Sequence, residues 1–201
     1  MTVSVSNYVK NGLTPLRKRG GNYNSGGYNT YPITNGQAEN IFKGDPVRVG
    51  SGTVSVCPNG GTPTGVFIGC VYQTQALGLK HSSYFPTGTS MGAADGLIEG
   101  GYNQPLAFVV DDPDATFLIL ARTSSGDAGL QAGDYAKVSA AGTGSTQNGQ
   151  SLAELDITGT NISAGAAMFR VVGPYLAPGW NTDADNTVVE VIFNPNLTSN
   201  A

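Results

Sequence analysis

Lys43-Gly44-Asp45-Pro46-Val47-Arg48-Val49 and Ala132-Gly133-Asp134-Tyr135-Ala136-Lys137-Val138 are two versions of one segment, with Gly, Asp and the last Val identical and Arg exchanged for Lys. Further along, Gly65-Val66-Phe67-Ile68-Gly69-Cys70-Val71-Tyr72 is loosely echoed by Met168-Phe169-Arg170-Val171-Val172-Gly173-Pro174-Tyr175. In each copy a Gly-Asp turn launches an alternating strand, a Gly/Thr-rich loop follows, and an apolar strand closes the unit. The spacing predicts an all-β fold: duplicated small antiparallel β-barrel or sandwich units with long loops and an extended N-terminal arm. Nothing in the repeat has the form of a catalytic centre.

A chain of 201 residues suffices for one large domain or two small ones, and at that size roughly 70% of the unfolded surface is buried on folding. Charged residues are only 12%, with 29 Gly, so surface polarity must come from Asn, Ser, Thr and Gln, or partners cover much of the surface. Disorder is a poor reading, because the chain is 39% hydrophobic with a net charge of −4, the reverse of a disordered composition. The same negative balance argues against direct nucleic-acid binding, which draws on clustered Lys and Arg. Cys57 and Cys70 match no metal spacing; Cys70 reads as a small buried residue, a disulfide between the two remains open, and the expected compartment is reducing. The N-terminus shows no signal-peptide pattern and no apolar stretch reaches membrane-spanning length, so no membrane partner is expected.

Residues 1–35 differ from the rest. Gly20 to Pro32 offers neither strand alternation nor helix period, only Gly, Asn and spaced tyrosines. It reads as an arm whose Tyr23, Tyr28 and Tyr31 suit a protein interface, with a disordered tail as the competing reading. Arg17-Lys18-Arg19 is the single basic run, and an acidic protein surface suits it better than phosphate. From 36 to 201 the chain reads as a β-rich domain with a pseudo-repeat over 36–120 and 121–195. Strands are expected at 47–49, 54–56, 65–72, 105–110, 116–122, 135–138, 166–172 and 188–193, with Pro46 marking its strand as an edge. Long loops span 73–104 and 139–165, and one helical turn is expected from Ser151 to Leu155, where Ser151 and Glu154 have capping-box spacing.

Candidate chemistry is sparse. His81 lies beside Ser82 and Ser83, but no nucleophile elbow accompanies it, so it reads as an exposed loop histidine. Asp111-Asp112-Pro113-Asp114 has the composition of a turn between two strands, with Ca²⁺ binding or acid-base work as the sharper alternatives. Asn181-Thr182-Asp183-Ala184-Asp185-Asn186 lacks the central Gly and closing Glu of a calcium loop. We therefore expect no catalytic, cofactor or metal site, and no enzyme.

Ile41-Phe42-Lys43-Gly44-Asp45-Pro46-Val47, Gly65 to Tyr72, Tyr84-Phe85-Pro86 and Asp111-Asp112-Pro113-Asp114-Ala115-Thr116-Phe117 together resemble the ordered landmarks of capsid decoration, or cement, proteins of tailed bacteriophages. The resemblance covers the pattern from about residue 36 to 193 and includes no catalytic signature. It implies a β-rich structural protein on the capsid exterior of the virion, made in the host cytoplasm, that binds major capsid protein and itself, often as trimers. It also implies a terminal arm reaching a neighbour, although residues 1–35 carry none of the landmarks. Two other classes stay open: a carbohydrate-binding β module of a phage tail fibre or spike, for which Trp180 and the tyrosines would serve, and a glycosidase using Asp111 and Asp112.

Overall fold

In the computed structural model of the chain, the described residues are 11–19, 27–74, 78–91, 104–122, 131–156, 167–175 and 186–198. The strands are β1 (Thr14–Lys18), β2 (Asn29–Pro32), β3 (Ile41–Phe42), β4 (Pro46–Gly50), β5 (Thr53–Val56), β6 (Gly65–Thr74) and β7 (Gly78–Ser82). They continue with β8 (Tyr84–Phe85), β9 (Leu106–Val110), β10 (Ala115–Arg122), β11 (Tyr135–Ser139), β12 (Glu154–Asp156), β13 (Phe169–Pro174) and β14 (Asn186–Phe193), and a helical turn α1 (Pro195–Thr198) follows. The fold is all-β.

The duplication is present in the topology. One sheet runs β2-β9-β6-β4-β5, and the other runs β10-β14-β13-β11-β12 and returns to β10, closing a five-stranded barrel. Read in chain order, the two sheets visit equivalent places in the same sequence. The closing pair of the second barrel is parallel, Ala121 with Leu155 and Arg122 with Asp156. The first closes at the equivalent place by one parallel bridge, Ile33 to Val54.

The Gly-Asp turns match bond for bond. Phe42 N–H donates to Asp45 Oδ2 at 2.8 Å and Asp45 N–H to the Phe42 carbonyl at 2.9 Å. In the second copy Gln131 N–H donates to Asp134 Oδ2 at 2.7 Å and Asp134 N–H to the Gln131 carbonyl at 3.1 Å. Gly44 and Gly133 hold φ of 95° and 100°, the left-handed third position of a type II turn. Both copies of the apolar strand carry a bulge before a glycine, between Phe67 and Gly69 and between Val171 and Gly173. These landmarks align Gly69 with Gly173, one residue away from the match of Gly65–Tyr72 with Met168–Tyr175 in the sequence, because the inward-facing Phe67 and Val171 must keep one register.

Alternation fills each barrel from its own strands. Phe117, Ile119, Ala136, Val138, Leu155, Phe169, Val171, Val189, Val191 and Phe193 are buried together in the second, and Ile33, Val47, Val54, Val56, Phe67, Ala107 and Val109 in the first. The cores are not independent. Cys57, Val66 and Val110 of the first barrel belong to the same buried cluster as Leu13, Ala115 and the second barrel's interior.

Several expectations need correction. The 1–35 segment is woven into the body: β1 pairs antiparallel with β10, and β2 with β9. Strand edges on both barrels had backbone groups to satisfy, and this segment supplies them. The boundary at residue 35 therefore falls inside the first barrel. The pseudo-repeat boundary at 120 falls inside β10; the barrels divide at Asp111–Asp114. The strand opened by Pro46 lies between β5 and β6 rather than at an edge, since a proline at the first position of a strand costs no ladder bond within it. Residues 151–155 form no helical turn. Ser151 bridges Gly144 and β12 pairs with β11, while Leu152 is exposed and Ala153 and Leu155 are buried, so strand pairing outweighs the capping-box spacing.

Candidate interface surfaces

The predicted interface residues are split by the fold. β1 lays Arg17 opposite Thr116 and Lys18 opposite Ala115. Arg17 forms a forked pair with Glu190, Nε to Oε1 at 2.9 Å and Nη2 to Oε2 at 2.6 Å. Glu190 is 6% exposed. Burial alone would raise its carboxyl, but the Arg17 guanidinium outweighs it and holds the group below its ordinary range. Lys18 Nζ lies 2.5 Å from Asp112 Oδ2. This hydrogen-bonded pair raises the lysine and lowers the aspartate. Two of the three cations thus fasten β1 to the second barrel, and Arg19 is exposed beyond them.

Tyr31 donates its hydroxyl to Asp111, whose oxygens also accept both Asn29 Nδ2 contacts at 2.9 Å. Tyr28 is 49% exposed and lies tilted on Phe108 with ring centroids 5.0 Å apart. Tyr23 lies outside the described residues, as do Trp180 and residues 181–185 of the Asn/Asp-rich loop. Phe108 and the exposed His81, stacked at 6.5 Å, extend the Tyr28 ring into an aromatic row on the first barrel's outer face.

His81 sits on edge strand β7 opposite Val71, not in a loop. Its serine neighbours are tied to backbone: Ser82 Oγ accepts from Tyr84 N–H at 3.2 Å and Ser83 Oγ donates to the Asn148 carbonyl at 3.1 Å. Asp112 Oδ1 accepts from Asp114 N–H at 2.9 Å and the Asp112 carbonyl from Ala115 N–H at 3.0 Å, so the acidic cluster is the turn between β9 and β10. No group of three or more potential metal ligands occurs among the described residues, and no helix there is long and apolar enough to cross a membrane. Cys57 and Cys70 are free and buried, with thiols pushed by burial up to about 11 and about 12.

Two features were missed in the sequence. The first is a joint between the barrels. Ser151 Oγ donates to the fully buried Asp45 at 2.5 Å, Ser151 N–H donates to the Lys43 carbonyl at 2.9 Å, and Leu13 N–H to the Gly44 carbonyl at 2.9 Å. The second is a groove of about 500 Å³ on the second barrel, lined by Arg17, Arg19, Gly133, Arg170, Val172 and Glu190 among others. Arg170 stands where the twin strand has Val66, an apolar-to-charged exchange that could have flagged the difference.

No family model, curated protein or solved structure matches the chain.

Proposed function

We propose that this protein is a non-enzymatic structural virion protein that binds the outer surface of an expanded phage capsid and stabilises it by bridging neighbouring major capsid protein subunits. The observation that carries the reading is the tandem of two equivalent barrels joined through a shared apolar cluster. Two like units held in one body suit bridging between repeated subunits, where several weak contacts made together hold far more firmly than one. The low charge of the chain and the decoration-protein landmarks favour the same reading. The test is to mix purified protein with expanded and unexpanded capsids of its own phage, and to heat virions with and without it. Binding confined to expanded capsids and heat-labile virions in its absence are expected; no binding, with unchanged virion stability, refutes the reading.

A second reading, a carbohydrate-binding module of a tail fibre or spike, draws on the Tyr28, Phe108 and His81 row. Exposed ring faces are what a sugar would stack on. Glycan-array binding lost in Tyr28→Ala would favour it over the capsid role.

A further inference from the structure

We infer that the open face of the second barrel, over the Gly133 turn and the bulge at Val172, is a docking groove for an extended acidic segment of another protein. The inference starts from the duplication and does not rest on a capsid role. On the first barrel the equivalent face is covered by the chain itself. Val66 and Val110 are buried there, with Ile68 packed beside them, in the cluster shared with the second barrel. The Gly44 carbonyl takes the Leu13 N–H, and Gly12 crosses so closely that a Cβ on Gly44 would stand 2.5 Å from the Asn11 carbonyl oxygen. A segment of the chain, Asn11 to Leu13 with Gly12 at a φ of 62°, thus already crosses this type of face once in the molecule.

On the second barrel the same positions are Arg170, Val172 and Ile192. Val172 is 41% exposed, and a Cβ on Gly133 would meet nothing nearer than Arg170 Nη2 at 3.9 Å. Among the described residues no N–H reaches the Gly133 carbonyl as Leu13 reaches that of Gly44. The face has the backbone shape of the docked one, and among the described residues none lies across it as Asn11 to Leu13 lies across the first.

Charge selects the occupant. Arg17 and Lys18 are neutralised by Glu190 and Asp112. Among the described residues no ion pair or hydrogen bond occupies the guanidinium of Arg19 or Arg170, both lining the groove. The guanidiniums of Arg19 and Arg170, unpaired among the described residues and beside the exposed Val172, fit carboxylates alternating with small apolar side chains, since guanidinium forks match carboxylates. A nucleic-acid strand fits less well: among the described residues the lining has no aromatic ring for a base to stack on, and the chain carries a net charge of −4.

The test is fluorescence anisotropy of a labelled peptide of alternating Asp and Val against the full chain at low salt. Saturable binding is expected, weakened about tenfold in the Arg19→Gln, Arg170→Gln double variant, a loss of ~1.4 kcal/mol for the charge contacts. Binding is also weakened in Val172→Asp and unchanged in Arg48→Gln. Thermal unfolding of the double variant matches the wild type, because neither guanidinium holds the fold. Absence of saturable binding, equal affinity in the double variant, or tighter binding of a single-stranded DNA oligonucleotide overturns the inference. Peptide binding by a protein that ignores capsids refutes the capsid role and leaves the groove standing; capsid binding unaffected by the double variant, with no peptide binding, does the reverse.

Discussion

Replacing Asp45 with Asn is expected to flatten the pH dependence of stability above about pH 4.5 while leaving the fold intact. Asp45 has no exposed surface. Burial, helped by nearby Glu39, pushes its carboxyl up from 3.8 to about 6, against the opposing hydrogen bonds from Ser151 and the Phe42 and Gly142 backbone. The folded chain therefore holds this proton more tightly than the unfolded chain. The stability this contributes is fully present below 3.8 and is lost as pH rises through about 6. At its largest that loss is ~3 kcal/mol, the free energy separating the two values. Asparagine mimics the protonated acid. Its Nδ2 takes the place of Oδ1 and donates to Ser151 Oγ, which already accepts Ala153 N–H at 2.9 Å, while its Oδ1 keeps the Phe42 N–H. Urea unfolding from about pH 4.5 to 7.5 should show the wild type losing about 2 kcal/mol and the variant less than about half of that. Asp112 and Glu190 have lowered values, so their contributions are lost on falling below 3.8 and 4.5, which is why the window starts there. A parallel slope in Asp45→Asn would refute the reasoning.

The twin glycines separate strain from crowding. Gly133→Ala meets only the cost of a positive φ, about 1 kcal/mol, whereas Gly44→Ala adds a clash with the Asn11 backbone and should lose several times as much in urea unfolding. Arg17→Met leaves Glu190 buried without its forked partner. Because the Arg17 side chain is 46% exposed, the loss at pH 7 is expected near ~1–2 kcal/mol, shrinking as Glu190 is protonated at low pH. Cys57 and Cys70, buried and held protonated, should react with a thiol reagent only at the rate of unfolding; fast labelling of the native protein would contradict their burial.

The duplicated unit was legible because its turn needs particular residues: a glycine for the positive φ and an aspartate to take the N–H three residues back. Strands such as Val47–Val49 and Phe108–Val110 announced themselves by alternation or β-branched content. The N-terminal segment was not legible. Thr14-Pro15-Leu16-Arg17-Lys18 has no alternation of its own, and only the free edge of β10 makes it a strand. The Ser151 region was misread for a related reason. Its serine answers Asp45, far away in sequence, and no local pattern reports such a partner. Arg17 and Lys18 stand out in the sequence as charged and clustered, but Glu190 and Asp112, with which they pair, become their neighbours only through folding.

Differences between the copies report which faces are covered. Asp45 is buried by the Ser151 loop and its twin Asp134 is exposed; Val66 is packed in the shared cluster and its twin Arg170 lines a groove. A face that docks loses its need for charge, and a face left open acquires it, because an unpaired guanidinium is tolerable only in water. By that argument Val66→Arg would drive the barrels apart, burying a cation where the shared cluster leaves no room for one. Arg170→Val, by contrast, would make the second barrel's face a copy of the docked one. The face of the first barrel that carries Val66 and Val110 packs into the cluster shared with the second barrel, and among the described residues nothing packs in the same way on the equivalent face of the second, where Val172 is exposed. On the reading proposed for this groove, a further barrel docking there would bury unpaired guanidiniums, whereas a segment of opposite charge would pair with them.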